Sequence, residues 1–172
     1  MGYAGGEKEY PTYRNLGDHT ETLEVDFDPE KISYEEMLKI FWESHRPLNP
    51  PRSKQYMSII FYHNQEQEEL ARAVKARLEE KYNYRLYTEI RPFKRFYLAE
   101  DYHQKYYLQN NRGMMKELGG YFDNFQDFVN STAAARINGY LAGYGSEKDL
   151  EGEIDSLGLS PEGQKRLKAL TR

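Results

Sequence analysis

Apolar and polar residues alternate from Leu23 to Phe27 (Leu-Glu-Val-Asp-Phe), the period of a strand with one buried face, and Asp28-Pro29 ends it. Ser33-Tyr34-Glu35-Glu36 reads as a capping box, with Met37, Leu38, Phe41 and Trp42 following at helical spacing. Three prolines between Arg46 and Pro51 make that stretch a loop. The apolar run Met57 to Tyr62 predicts a strand buried on both faces. Asn64 opens a long helix, with Gln67 at the reciprocal capping position and Leu70, Val74 and Leu78 on one face. Leu86 to Ile90 predicts a third strand closed by Pro92, and a helix is expected from about Ala99 to Gln109.

The pattern changes after Asn111. Leu118 to Phe128 is aromatic and punctuated by glycine, and Thr132 to Leu141 is a helix of small residues that Gly143 to Gly145 breaks. Ser160-Pro161-Glu162 caps a short basic helix ending at Leu170. Strands separated by helices imply an α+β fold with a two-layer mixed sheet. The expected organisation is a core over 1–111 and a helical C-terminal extension over 112–172. Three strands and three helices are few for a closed two-layer core, and one more strand and helix in front would complete it. The opening Gly2-Tyr3-Ala4-Gly5-Gly6 fits that expectation, because it reads as a connecting turn that follows an element.

Composition narrows the function. Sixteen Tyr and eight Phe argue against disorder, although 30% of the 172 residues are charged. A net charge of −4 without a long basic block argues against a nucleic-acid surface. The sequence has no cysteine, which removes disulfides, zinc–thiolate sites and thiol chemistry from these residues. The apolar runs are too short for a membrane span, and a cytoplasmic protein is the expectation.

Candidate chemistry lies in short polar groups near glycines. Gly17-Asp18-His19-Thr20-Glu21 leads into the first predicted strand, Pro11-Thr12-Tyr13 precedes it, and Gln55-Tyr56 opens the second. A carboxyl group and two phenols would bind an oxygen if the fold brought them together, since a protonated glutamic acid donates as phenols do. From the residues alone, Glu21 is as readily a loop carboxylate, and Tyr13 and Tyr56 ordinary packing tyrosines. His19 is expected in a structural hydrogen bond, and His45, His63 and His103 in structural or surface roles. Trp42 is expected in the core. Glu100, Asp101 and His103 resemble a metal cluster but read better as a network at a helix start, so no metal is expected.

The ordered motifs carry a resemblance. Gly-Tyr-Ala-Gly-Gly at 2–6, Pro-Thr-Tyr at 11–13, His-Thr-Glu at 19–21, Phe27-Asp28-Pro29 and Ile32-Ser33-Tyr34 occur in the order of one family. Phe41-Trp42 with His45, Gln55-Tyr56-Met57-Ser58, Thr88-Glu89-Ile90, Phe96-Tyr97 and Ala99-Glu100-Asp101-Tyr102-His103-Gln104 continue it. Over roughly 2–108 the chain resembles the A-type peptide methionine sulfoxide reductases. The resemblance implies a ferredoxin-like-related two-layer α+β core and a cysteine nucleophile in a Gly-Cys-Phe-Trp motif that attacks the sulfur of a methionine S-sulfoxide. It implies that Glu21 is the general acid and that Tyr13 and Tyr56 hydrogen-bond the sulfoxide oxygen. It implies no cofactor, and it implies thioredoxin or another thiol as reductant of the resulting sulfenic acid.

The departures from the family are specific. Gly-Cys-Phe-Trp precedes Gly-Tyr-Ala-Gly-Gly in the family and is not in this sequence, nor is a resolving cysteine. The loop from His45 to Tyr56 is shorter, and the family's aspartate before Gln-Tyr falls near Pro51. The chain as given is therefore expected to be inactive alone, with its nucleophile, cysteine or selenocysteine, encoded upstream. A selenocysteine codon read as a stop would account for the missing nucleophile. The alternative is a non-catalytic descendant that binds methionine sulfoxide or a protein partner.

Overall fold

The computed structural model describes residues 1–45 and 47–171. Arg46, at the head of the predicted proline-rich loop, and Arg172, at the end of the predicted extension, lie outside the described residues. The chain divides into two units, Met1–Ala99 and Glu100–Arg172.

The first unit is α+β. Its strands are β1 (Gly2–Ala4), β2 (Thr20–Thr22), β3 (Ile59–Tyr62), β4 (Glu89–Pro92) and β5 (Phe96–Leu98), and its helices are α1 (Tyr34–Glu43) and α2 (Gln65–Tyr82). β1 is the centre of an antiparallel sheet in the order β2-β1-β5, with Tyr3 opposite Glu21 on one side and Tyr97 on the other. β3 and β4 form a separate parallel pair, Ile60 opposite Ile90. A parallel pair needs a long crossover, which α2 supplies.

Local chemistry sets the helix ends. Ser33 Oγ accepts from the Glu36 N–H (3.2 Å), and the Glu36 carboxylate accepts from the Ser33 N–H (2.8 Å). Asn64 Oδ1 accepts from the Gln67 N–H (2.9 Å), but the Gln67 side chain accepts from His63 N–H instead of reaching back to the cap. Leu38 of α1 and Ala71 and Val74 of α2 are buried together with Ile60 of β3, and Trp42, Phe41 and Leu78 pack on them.

Several sequence expectations change. Gly2-Tyr3-Ala4 is not a turn but the buried central strand. Its glycine meets a need for close approach, since a Cβ on Gly2 would lie 2.2 Å from the Phe96 ring and 2.4 Å from the Tyr97 carbonyl oxygen. The turn begins at Gly5, where φ is +83°. The predicted strand Leu23–Phe27 is not a strand; pairing stops at Thr22, and Leu23 and Val25 are exposed (66% and 46%). Alternation defines a face, but a strand also needs a neighbour to bond, and the ladder with β1 ends at Gly2↔Thr22. The second predicted strand starts at Ile59, because Met57 N–H closes a turn on the Lys54 carbonyl (3.4 Å). The third is displaced to Glu89–Pro92, because the Leu86 N–H is taken by the Glu79 carboxylate (2.8 Å) and that of Tyr87 by the Pro47 carbonyl (2.8 Å).

The second unit is helical: a 3-10 turn at Asp101–His103, then α3 (Tyr106–Gln109), α4 (Arg112–Glu117), α5 (Phe125–Asn130), α6 (Thr132–Leu141), α7 (Glu147–Glu153), a 3-10 turn at Ile154–Leu157, and α8 (Pro161–Leu170). The single helix expected from Ala99 to Gln109 is broken at Lys105, whose left-handed backbone (φ 45°) cannot continue one. Helices this short do not persist alone. Each from α4 to α8 has an Asn or Ser side chain capping its start: Asn111, Asn124, Ser131, Ser146 and Ser160. Leu108, Met114, Phe128, Ile137, Leu150 and Leu167 belong to one continuous core within this unit.

Candidate functional site

Two side chains fasten the turn after β1. Asp18 accepts from the Glu7 N–H (3.0 and 3.1 Å to its two oxygens) and from the Lys8 N–H (3.3 Å). The Glu7 N–H above all, helped by the Lys8 N–H and the adjacent His19, holds the Asp18 carboxyl below its ordinary range, with desolvation acting in the opposite direction. His19 is buried; its Nδ1 accepts from the Gly6 N–H (3.2 Å) and its Nε2 donates to the Lys8 carbonyl (2.7 Å). This is the structural role expected of His19. Gly6 must be glycine for the clasp to close, because a Cβ there would lie 2.7 Å from the His19 backbone nitrogen and 2.5 Å from Asp18 Oδ1. The clasp delivers the chain to β2, and Glu21 lands opposite Tyr3, on the same face of the sheet.

The free edge of β2 receives the segment before β3. Thr20 Oγ donates to the Lys54 carbonyl (2.8 Å), and the Glu21 N–H donates to the Gln55 carbonyl (3.0 Å). The Gln55 side-chain amide then donates to Glu21 Oε1 (2.7 Å) and to Tyr56 Oη (3.0 Å). Tyr56 hydrogen-bonds Tyr13 in turn. That bond, with partial desolvation and the nearby Tyr13 and Glu21 charges, holds the Tyr56 phenol above its ordinary range, while the Gln55 donor acts in the opposite direction. Tyr13 is carried on a tight turn closed by Thr12 and Asn15, with the Asn15 N–H donating to the Thr12 carbonyl (2.9 Å). Tyr56 is 66% exposed and Tyr13 41%, so the phenols face solvent.

The three residues singled out in the sequence, Tyr13, Glu21 and Tyr56, therefore come together. The residue that sequence reasoning missed is Gln55, which it noted only as the neighbour of Tyr56. The available signal was its place beside a tyrosine in a segment that had to bond the edge of β2.

The other candidates lie elsewhere. His45 Nδ1 lies 2.8 Å from the Phe41 carbonyl and Nε2 lies 2.6 Å from Ser58 Oγ, which is 2.7 Å from Thr88 Oγ. Trp42 packs on the α1–α2 core, stacked on His45, in the position expected of a core residue. His63 stacks on Phe93. Asp101 and His103 lie in the 3-10 turn of the second unit. Among the described residues, no three His, Asp or Glu side chains group as metal ligands, and no helix is long and apolar enough to cross a membrane.

A model of the family described as "Peptide methionine sulfoxide reductase" matches residues 1–130. The chain belongs to the peptide methionine sulfoxide reductase family. A second model, "Selenoprotein methionine sulfoxide reductase A, helical domain", matches residues 124–168. A peptide methionine sulfoxide reductase of Drosophila melanogaster is 42% identical over 165 residues, spanning 94% of this chain and 65% of the fly protein. Peptide methionine sulfoxide reductase A5 of rice is 38% identical over 148 residues, 83% of this chain and 58% of that protein. The chain thus spans less than two-thirds of either relative. Among solved structures, reduced Mxr1 of Saccharomyces cerevisiae is similar with a TM-score of 0.58 at 30% identity, covering 64% of this chain and 68% of that one. Methionine sulfoxide reductase A of Corynebacterium diphtheriae gives 0.54 at 31%, covering 64% and 61%. Both structural neighbours fit the mixed α+β fold.

Proposed function

We propose that this chain supplies the oxygen-binding half of a peptide-methionine (S)-S-oxide reductase. The observation that carries the reading is the convergence of one carboxyl and two phenols, Glu21, Tyr13 and Tyr56, at an accessible edge of the sheet. In this reading Tyr13 and Tyr56 donate to the sulfoxide oxygen and Glu21 protonates it, which makes the sulfur electrophilic. A thiol or selenol then attacks the sulfur. The new bond displaces the protonated oxygen as water; water then adds to the nucleophile atom, its bond to the substrate sulfur breaks, and methionine leaves with a sulfenic or selenenic acid behind. Two equivalents of thiol, from thioredoxin or a similar reductant, return the nucleophile and release water. This sequence holds no cysteine, so the nucleophile comes from residues outside those given. The helical-domain match, named for a selenoprotein reductase, supports selenocysteine alongside cysteine for that position. The substrate is methionine S-sulfoxide, in proteins or free, and the compartment is the cytoplasm.

The test has two arms. The 172-residue chain is titrated with the S and R epimers of N-acetylmethionine sulfoxide and followed by NMR. Preference for the S epimer, with shifts at Tyr13, Glu21 and Tyr56, is expected; equal or no response to the two epimers sinks the oxygen-site reading. The native protein isolated from its source is then assayed with dithiothreitol and examined by mass spectrometry. Turnover is expected only where a cysteine- or selenocysteine-bearing segment accompanies these residues. Turnover by the cysteine-free chain would refute the role of an outside nucleophile, and S-specific binding without turnover by the native protein would favour a non-catalytic descendant.

A further inference from the structure

We propose that Gln55 is a positioning residue of the oxygen site: one amide nitrogen donates to both Glu21 Oε1 and Tyr56 Oη and so decides where each of those groups holds its own proton. The inference rests on the reading of Glu21 and Tyr56 as oxygen-side donors and adds the group that orients them.

The geometry leaves little freedom. The backbone of Gln55 is pinned to β2 by the Glu21 N–H (3.0 Å), and its neighbour Lys54 by the Thr20 hydroxyl (2.8 Å). From that fixed point the side-chain NH2 uses both of its hydrogens, at 2.7 Å to Glu21 Oε1 and 3.0 Å to Tyr56 Oη. A carboxyl oxygen that accepts an N–H at this distance cannot aim a proton of its own at the same donor. A protonated Glu21 therefore carries its hydrogen on Oε2. A phenol oxygen that accepts from Gln55 must likewise turn its O–H elsewhere, and here it turns to Tyr13.

Gln55 also stands between two groups that would otherwise satisfy each other. A phenol beside a carboxylate donates to it readily, because a bond to an ionised acceptor is the stronger one. A Tyr56–Glu21 bond of that kind would occupy both groups and leave neither to meet a ligand oxygen. By donating to both, the amide makes each an acceptor on its Gln55 side and turns its proton away from that side, that of Tyr56 towards Tyr13. The orientation is set before any ligand arrives, which is the condition under which donors stabilise developing charge without reorganising.

The test uses the 172-residue chain labelled with 13C at the tyrosine ζ carbons and the glutamate carboxyls, the Tyr56 and Glu21 signals being assigned from Tyr56→Phe and Glu21→Gln spectra. N-acetylmethionine (S)-sulfoxide is the ligand. Gln55→Leu keeps the bulk and loses the donor; Gln55→Glu keeps the shape and replaces the donor with an acceptor. We expect both to weaken binding by about tenfold, the loss of one orienting hydrogen bond. In Gln55→Leu the Tyr56 phenol should titrate higher than in the parent, because the lost N–H had favoured the phenolate. In Gln55→Glu the two carboxyls should share a proton and the Glu21 signal should titrate higher. The unfolding midpoint seen by Trp42 fluorescence should change little. Unchanged affinity together with unchanged Tyr56 and Glu21 titrations overturns the proposal, as does weaker binding that follows only a general loss of folding. If the parent chain does not bind the sulfoxide, the functional reading fails, and the orienting role is then judged by the two titrations alone.

Discussion

The two units are held together in different ways. Among the described residues, the helical unit has twelve buried apolar side chains in one cluster. The unit that carries the candidate site has a group of four buried apolar residues around Ala71 and a group of three around Tyr3, with Ala4 and Leu86 buried outside both. Three polar residues, His19, Thr20 and Thr88, are buried there, against Gln104 and Thr171 beside the larger apolar cluster of the helical unit. One unit is stabilised chiefly by water exclusion, which is non-directional and tolerates irregular short helices. The other relies on directional bonds, which fix a few side chains in place but fail when a single partner is lost. A site that must orient donors sits where directional bonds dominate.

Four changes would break or sharpen this contrast. The largest effect is expected from Leu167→Ala, which empties a fully buried position in the twelve-residue core and should cost about 3 kcal/mol. Hydrogen exchange should place the lost protection in 100–171. Next, His19→Ala removes two buried hydrogen bonds and strands the Lys8 carbonyl and Gly6 N–H; about 2 kcal/mol is expected. The single tryptophan, Trp42, lies in the first unit, so its fluorescence during urea unfolding reads this change while ignoring the helical unit. Gly6→Ala should cost about 1–3 kcal/mol by the same measurement, because the new methyl meets backbone at His19. A methyl that leaves the Trp42 midpoint unmoved would show that the clasp is loose.

The smallest effect is on pH. The Asp18 carboxyl lies below its ordinary range when folded, so its clasp is fully stabilising above the unfolded carboxylate value and is lost as pH falls through the lower folded value. Glu36, lowered by its bonds to Ser33, acts with the same sign. The Trp42 midpoint should therefore fall on acidification below about pH 4, and Asp18→Asn should flatten the fall without abolishing it. Asp149, lowered by Ser146, gives the helical unit the same direction of dependence. An Asp18→Asn curve superimposable on the parent's would remove Asp18 from the account.

Local signals in the sequence carried the helices well. The Ser33–Glu36 box, the Asn64 cap, the run Thr132–Leu141 and the Ser160-Pro161 start depend on residues three or four apart, and α1, α2, α6 and α8 follow them. Strands were harder to read, because a strand depends on a partner far along the chain. Gly2–Ala4 becomes a strand by pairing with Thr20–Thr22 and with Phe96–Leu98, and Phe96–Leu98 by pairing with Gly2–Ala4. Leu23–Phe27 has the right alternation and lacks the neighbour. At the candidate site, the ordered motifs named Tyr13, Glu21 and Tyr56, and their convergence depends on the pairing of residues 54–55 with β2, which no local pattern encodes. For that reason Gln55 stands in the sequence only as the neighbour of Tyr56: an amide matters once its two acceptors are in reach.

The central place of β1 also has a consequence in time. Tyr3 pairs with Tyr97, so the antiparallel sheet cannot close until the ribosome has delivered β5. At usual rates of synthesis the wait is on the order of 5 to 20 s. Throughout it, β1 has one edge uncovered, and an uncovered strand edge is a template for wrong partners. In the helical unit the bridged separations are shorter, 30 residues from the Leu108 N–H to Asn138 and 43 from Ser160 to Glu117, so the corresponding delay is shorter. A nascent chain stalled before Phe96 should therefore need chaperone protection that one stalled after Leu98 does not.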